Sequence, residues 1–400
     1  MIIERNELVN RIKNSTKWVF VYGRRKTGKT FIVENNIEYD EYFFVNRNRT
    51  ILNKKNNGTL LYETFVMILR LNLENNRTVV VDEFHRLGDD FLDFIHSIKK
   101  NGKLILITST LFLARNMLSS NSPLMGFFNE INVDIISLDE SLRELRKLNF
   151  GKKNLLENAI IAREPLAIDY INKDSSTVIR DVLIGSIQTV PALLGEIFNE
   201  EERTITAIYN GILSAISTGN ISSGKISSFL FSRRLLQKDD PSVIQSHLIN
   251  LVRIGILKKI HIYNKNRFAY KINSPLIRLF YYSEEKIGLT EHFNNSVRLD
   301  EVIKAMIPRI VEDNVREFLS IKFGLMETII EDSDYDVDGY LLHFKKPEIA
   351  LEVKWRNSIK DISEIETKLM AIDAKRHLLF VQDRTNLSSD RITIMDVNDL

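Results

Sequence analysis

Gly23-Arg24-Arg25-Lys26-Thr27-Gly28-Lys29-Thr30 follows the short apolar run Trp18-Val19-Phe20-Val21-Tyr22 and leads into Phe31-Ile32-Val33. A buried strand, a glycine-bounded loop ending in Gly-Lys-Thr and a helix start, in that order, form a phosphate cradle. The glycines let backbone N–H groups curl toward phosphate oxygens, and the helix turns its positive dipole end to the same charge. Each of these eight loop residues is therefore a candidate ATP contact. Lys29 is placed to reach the β- and γ-phosphates, and the Thr30 hydroxyl to ligate Mg²⁺.

A second stretch supplies what that cradle lacks. Val79-Val80-Val81-Asp82-Glu83 is an apolar strand that delivers two carboxylates at its C-terminal end, where open α/β sheets bind ligands. Asp82 is expected to hold Mg²⁺ through water, and Glu83 to orient or polarise the attacking water. The strand Leu104 to Ile107 ends in Thr108-Ser109-Thr110, so a hydroxyl such as that of Ser109 can sense the γ-phosphate from the next strand. Hydrolysis also needs a cation at the developing charge, for which Arg24, Arg25, Arg86, Arg115 and Arg163 are candidates.

Outward from these motifs, strands alternate with helical spacing, as in Phe91 to Lys99, which predicts a parallel sheet covered on both faces over residues 1–137. From Leu138 the strand signal fades. Leu142 to Lys147, Asn154 to Ala162 and Thr177 to Phe198 read as the helices of a lid over 138–199. Residues 200–275 read as a winged helix: an N-cap with proline at Asp240-Pro241, a helix stopping at Gly255, then strands Leu257 to Ile262 and Arg267 to Ile272 about a turn at Asn264-Lys265-Asn266. Residues 276–300 are expected as a linker. Residues 301–400 combine a long helix, Glu301 to Phe318, with strands Tyr340 to Phe344, Ile349 to Trp355 and His377 to Gln382, and a helix over Ser363 to Leu369. Lys345 to Glu348 is expected to turn between the first two of these strands.

Four hundred residues exceed one hydrophobic core, and a composition of 44% hydrophobic and 27% charged residues excludes a disordered chain. There is no cysteine, which excludes disulfides, thiolate metal sites and a cysteine nucleophile, and the seven histidines lack metal-ligand spacing. No apolar run is long enough to span a bilayer, and Met1-Ile2-Ile3-Glu4 is unlike a signal peptide, so no membrane partner and a cytoplasmic location are expected. With 55 basic against 53 acidic residues and a net charge of +2, any nucleic-acid surface must be a local patch.

Val21-Tyr22-Gly23-Arg24-Arg25, Val81-Asp82-Glu83-Phe84, Leu104-Ile105-Leu106, Ser122-Pro123-Leu124 and Leu138-Asp139-Glu140-Ser141 resemble the archaeal and bacterial AAA+-like ATPases related to the signal-transduction ATPases with numerous domains. Ser274-Pro275-Leu276-Ile277-Arg278-Leu279-Phe280 is similar to that family's segment after the wing. The resemblance implies a helical lid, a winged helix and a C-terminal domain like restriction endonucleases. Two departures stand out. Phe127-Phe128 follow Gly126 where members often carry an arginine. Ala162-Arg163-Glu164-Pro165 replaces a glycine-rich Gly-x-Pro of the lid; Pro165 is then the candidate lid contact to the nucleotide.

In the C-terminal unit Asp338, Glu352 and Lys354 form the pattern D-x(13)-E-x-K. Glu352 and Lys354 share a sheet face, and a hairpin turning about Lys346 sets Asp338 opposite Lys354 on that face. This looks like the PD-(D/E)xK nuclease core, with Asp336 and Asp338 competing for the first acid. Asp338 and Glu352 are the candidate Mg²⁺ ligands, Glu312 the extra acid, and Trp355 and Arg356 are candidates to flank the site, with core packing the alternative for Trp355. On the wing, Lys258, Lys259, Lys265, Arg267 and Lys271 are candidate phosphate contacts; a packing module with a basic rim is the alternative. The expected function is an ATPase whose nucleotide state controls a DNA-binding or DNA-cutting module. A switch or scaffold whose C-terminal domain binds a partner without cleavage is the alternative, and self-association into a homo-oligomer stays open.

Overall fold

The computed structural model describes residues 1–111, 117, 124–171, 177–200, 206–292, 296–330, 337–356, 359 and 361–400. Its first sheet comprises β1 (Trp18–Tyr22), β2 (Glu41–Val45), β3 (Ile51–Asn53), β4 (Gly58–Leu60), β5 (Thr78–Asp82), β6 (Lys103–Thr108) and β7 (Phe128–Asn132), in the order β4-β3-β2-β5-β6-β1-β7. The run β2-β5-β6-β1-β7 is parallel, and β3 and β4 extend it antiparallel. Alternate residues of its central strands enter two separate cores. Phe20, Val79, Val81, Leu104 and Leu106 pack beneath helices Tyr62–Glu74 and Asp89–Ser97. Val19, Val21, Val80, Ile105 and Ile107 pack against helices Asn6–Lys13 and Lys29–Asn36. Continuous apolar runs are what a sheet buried on both faces requires.

The lid begins with helix Leu138–Leu145, closed at its N-terminus by a reciprocal Ser137–Glu140 capping box. Helix Lys152–Ala162 follows, and the span read as one helix from Thr177 is two, Val178–Gly185 and Thr189–Glu200. Among the described residues no single helix is long and apolar enough to cross a membrane; this bent pair passes only by joint length and composition.

Helices Ala207–Ser217, Ser223–Ser232 and Gln245–Arg253 precede a hairpin of β8 (Leu257–Ile262) and β9 (Phe268–Ile272). The Asp240 carboxylate accepts from Ser242 N as foreseen, and Ile244, Leu248 and Leu251 form the buried stripe. The hairpin is not an independent wing. Strand β8 pairs in parallel with β10 (Met326–Ile329), joining it to β11 (Gly339–His343), β12 (Lys346–Lys354), β13 (Arg376–Val381) and β14 (Thr393–Met395). One sheet, β14-β13-β12-β11-β10-β8-β9, thus contains both the hairpin and the C-terminal strands.

Nor do the described residues of 276–300 form a linker. Helix Pro275–Ile287, capped by the Ser274 hydroxyl, buries every residue from Leu276 to Ser283, because its neighbours cover it all round. It packs on the long helix Ser296–Phe323, and one continuous apolar cluster runs from the lid through both helices to β11–β13.

Candidate functional site

The P-loop is shaped by two glycines. Gly28 caps the helix Lys29–Asn36 at φ 90°, a left-handed conformation that costs a side-chain-bearing residue free energy. At Gly23 a Cβ would lie 2.1 Å from Val133 O, so only glycine lets β1 turn beside the segment after β7. Within the loop, Lys29 Nζ donates to Gly23 O and Arg24 O at 2.9 and 2.8 Å, and Thr27 Oγ1 donates to Arg24 O. Lys26 takes φ 62° at the bend.

Strand β5 brings Asp82 to this loop. Its Oδ2 accepts from Thr30 Oγ1 at 2.7 Å and from Tyr42 OH at 2.8 Å, while Oδ1 is buried without a hydrogen bond. Burial pushes the Asp82 carboxyl above its usual range; the Thr30 and Tyr42 donors oppose that and the neighbouring Glu83 adds to it. A buried carboxylate oxygen with no donor, beside a threonine hydroxyl, is a fitting donor set for a divalent cation. Glu83 sits at φ 57°, immediately past the strand. Its Oε2 accepts from Ser109 Oγ at 3.1 Å, lies 3.2 Å from Arg86 Nη2 and is 3.5 Å from His85 Nδ1. Ser109 therefore holds the carboxylate expected to act on water.

None of the described arginines proposed as the catalytic cation is simply solvated. Arg24 Nη2 meets Glu164 Oε2 at 2.5 Å, and Ser274 Oγ donates to the same oxygen at 2.6 Å. Arg25 Nε bonds Glu196 of the lid at 2.6 Å. Arg86 also donates to Val45 O. Arg163 donates to Ile136 O and Asn314, and lies 2.8 Å from Glu317. Arg115 lies outside the described residues. Glu164 immediately precedes Pro165, so the lid segment that departs from the family pattern does reach the P-loop, through its carboxylate. No local signal marks Tyr42 or Glu196, and Glu164 and Ser274 lie in segments compared with the family without a site role of their own.

The basic residues of the hairpin divide. Lys259, Lys265 and Arg267 are exposed, Lys259 lying over the Phe268 ring at 3.5 Å. Lys258 and Lys271 are corrections to the expected phosphate-binding rim. Lys258 Nζ is 2.6 Å from Glu317 and 3.6 Å from Glu327. Lys271 is 3.1 Å from Asp313, and burial pulls its pKa down to about 8. Both side chains meet acids of the long helix Ser296–Phe323, Glu317 and Asp313. Asp313 also binds Arg278, and Arg316 at 2.5 Å, and these cations hold its carboxyl far below the usual range against the penalty of burial.

Near β11 and β12 the pairing differs from expectation by two residues. Gly339 faces Leu351, and a register irregularity between Leu341 and Leu342 brings His343 opposite Lys346, so the turn is at Phe344-Lys345 rather than over Lys345 to Glu348, and β11 starts one residue after Asp338. On the Asp338 side of that irregularity the shift is two, which keeps Asp338, Glu352 and Lys354 on one face. Asp338 Oδ2 accepts from Val353 N at 2.7 Å, and Glu352, Lys354, Asp338 and Glu312 interact electrostatically. Burial, then Glu352, pushes Asp338 up to about 6; burial, then Asp338 and Asp313, pushes Glu312 up to about 8. Glu352 is buried and bound by Lys354 and, at 3.1 Å, by Lys368. Lys368, on helix Ser363–Met370, was not foreseen. Among the described residues no group of three or more carboxylate or histidine side chains is placed to hold a metal ion. Asp336 lies outside the described residues. Trp355 stacks on Phe380 and donates to Glu157 of the lid at 2.8 Å, so it is a packing residue.

A family model described as an AAA domain matches residues 15–142. No curated protein matches the sequence. In structure, the chain is similar to the Walker-type ATPase of Pyrococcus abyssi, at 16% identity and a TM-score of 0.53, over 70% of this chain and 96% of that one. It also aligns with a signal-transduction ATPase with a tetratricopeptide repeat sensor from Pyrococcus horikoshii (16% identity, 80% of this chain and 51% of that one, TM-score 0.34). A third alignment is with the Aeropyrum pernix ORC2 protein (10% identity, 76% and 92%, TM-score 0.38). Residues 15–142 are thus an AAA-type, P-loop ATPase-like domain within a mixed α/β chain.

Proposed function

We propose that the chain binds and hydrolyses Mg·ATP and that nucleotide state governs a C-terminal region acting on DNA. The observation that carries the reading is the Thr30–Asp82 contact, with the second Asp82 oxygen buried and without a donor, beside the Lys29 cradle. Thr30 and Asp82 would hold Mg²⁺, whose charge offsets that of the β- and γ-phosphates. Lys29 binds the phosphates, and Glu83, aimed by Ser109, positions water. Coupling is supported by the two P-loop arginines. Arg24 is bound to Glu164 and through it to Ser274, and Arg25 to Glu196, so any rearrangement of the loop is felt in the lid and in helix Pro275–Ile287.

For the C-terminal region, DNA retention by exposed Lys259, Lys265 and Arg267 is the reading the surface supports. The clamp of Lys354 and Lys368 on Glu352 favours binding without cleavage over a nuclease. The test is an ATPase and DNA-retention assay with a parallel incubation of DNA with Mg²⁺ or Mn²⁺. ATP turnover, salt-sensitive retention and intact DNA are expected. Metal-dependent cutting that is lost in Asp338→Ala would overturn the non-cleaving reading, and the absence of ATP turnover would overturn the first.

A further inference from the structure

The two-residue turn between β11 and β12 places Phe344 at φ 46° and Lys345 at φ 69°. Such hairpins need a positive φ at both central positions, which is why Asn-Gly and Gly-Gly dominate them. A bulky side chain in the left-handed region is strained. Among the described residues nothing offsets that strain: Phe344 is 87% exposed, and its ring contact is with the adjacent His343. An aromatic residue that weakens its own turn and packs on no core is positioned for something outside the chain.

The surroundings favour a polyanion. Lys345 and Lys346 are exposed beside the ring. Glu348, the next acid along β12, is already held by Lys375 at 2.9 Å and Arg376 at 3.6 Å. On the neighbouring strand Met326, opposite Leu342, is exposed, and Arg376 lies 4.7 Å over the Phe323 ring. Rings and cations thus occur together at this end of the sheet, a combination that suits stacked bases joined by phosphates.

We propose that the β11–β12 tip contacts an unpaired nucleic-acid strand, one base stacking on Phe344 while Lys345 and Lys346 neutralise flanking phosphates. The proposal deepens the reading that the chain acts on DNA and rests on it. The tip lies at the end of the hairpin opposite Asp338 and Glu352, about 20 Å along β12 at strand rise.

The test is fluorescence anisotropy of a labelled oligothymidine with the full chain, repeated over a salt series. Phe344→Asn removes the ring and tolerates the left-handed conformation, so the melting temperature should hold or rise. Affinity should fall on the order of tenfold with the salt slope unchanged, as loss of one stacked base implies. Lys345→Gln with Lys346→Gln should instead flatten the slope by about 1.4, the single-strand value for two phosphate contacts. If the parent protein binds and Phe344→Asn binds equally, the tip proposal is wrong while the DNA reading stands. If the parent protein binds no oligonucleotide at low salt, both fail. Phe344-dependent binding to anionic phospholipid vesicles without oligonucleotide binding would replace the nucleic acid with a membrane surface.

Discussion

Arg24 and Glu164 form a buried ion pair at 2.5 Å between the P-loop and the lid, and Ser274 donates to the same carboxylate oxygen. The two residues are 140 positions apart. Removing one partner of such a pair leaves an uncompensated charge, which costs about 3–5 kcal/mol, whereas replacing both with apolar groups is often neutral. Glu164→Ala should therefore lower the thermal unfolding midpoint markedly, and Arg24→Met with Glu164→Leu should recover most of the loss. Additive losses in that double-mutant cycle would show that the contact carries no coupling.

Acid should loosen the junction between lid, hairpin and long helix. Arg163 and Lys258 hold Glu317 down at about 2 against the penalty of burial, compared with an ordinary 4.5. A depressed folded pKa contributes stability that is complete above pH 4.5 and lost as pH falls toward 2, a linkage on the order of 3 kcal/mol. Chemical denaturation at pH 6 and pH 3 should show the loss, and Glu317→Gln should reduce the pH dependence. An unchanged pH profile in that variant would remove Glu317 from the account.

Lys271 and Lys265 should behave oppositely although both belong to the hairpin. Lys271→Ala should destabilise the fold by about 1–3 kcal/mol, because it strips a charged partner from buried Asp313, and leave the salt dependence of DNA retention intact. Lys265→Gln with Arg267→Gln should leave stability intact and flatten that dependence. A salt slope that follows Lys271 instead would place the nucleic acid elsewhere.

The contrast between those two lysines shows what was legible in the sequence. Gly23 to Thr30 and Asp82-Glu83 could be read because a local spacing encodes a local geometry, and β1, β5 and β6 because apolar runs encode burial on both faces. Strands β8 and β9 were also readable, but the pairing of β8 with β10 was not, since strand partners far apart in sequence leave no periodic trace. That pairing sets Glu327 of β10 beside Lys258, while Lys271 is taken by Asp313 of the long helix. Likewise Glu352 and Lys354 share a face by spacing alone, while Lys368 reaches Glu352 only because helix Ser363–Met370 covers that face. The exposed turn at Phe344 is not legible in the sequence, because its residues are poor turn formers and Lys346-Pro347 offers a later centre.

Tyr42 is expected to support the metal through Asp82. Tyr42→Phe removes the 2.8 Å donor to Oδ2 and leaves Thr30 as the remaining one. The Mg²⁺ requirement for nucleotide binding should rise several-fold, about what one charge-assisted hydrogen bond contributes, and Asp82→Asn should be more damaging. Equal Mg²⁺ dependence in all three proteins would contradict the assignment of Asp82.

The central claim is that Lys29 binds the nucleotide while Glu83, held by Ser109, acts on water. It is tested most directly by measuring ATP affinity and steady-state turnover in Lys29→Ala and Glu83→Gln. Lys29→Ala should lose binding, and Glu83→Gln should keep the parent affinity and lose turnover by a factor of about 10² or more, as expected for a general base. Parent-level turnover in Glu83→Gln, or parent-level affinity in Lys29→Ala, would contradict it.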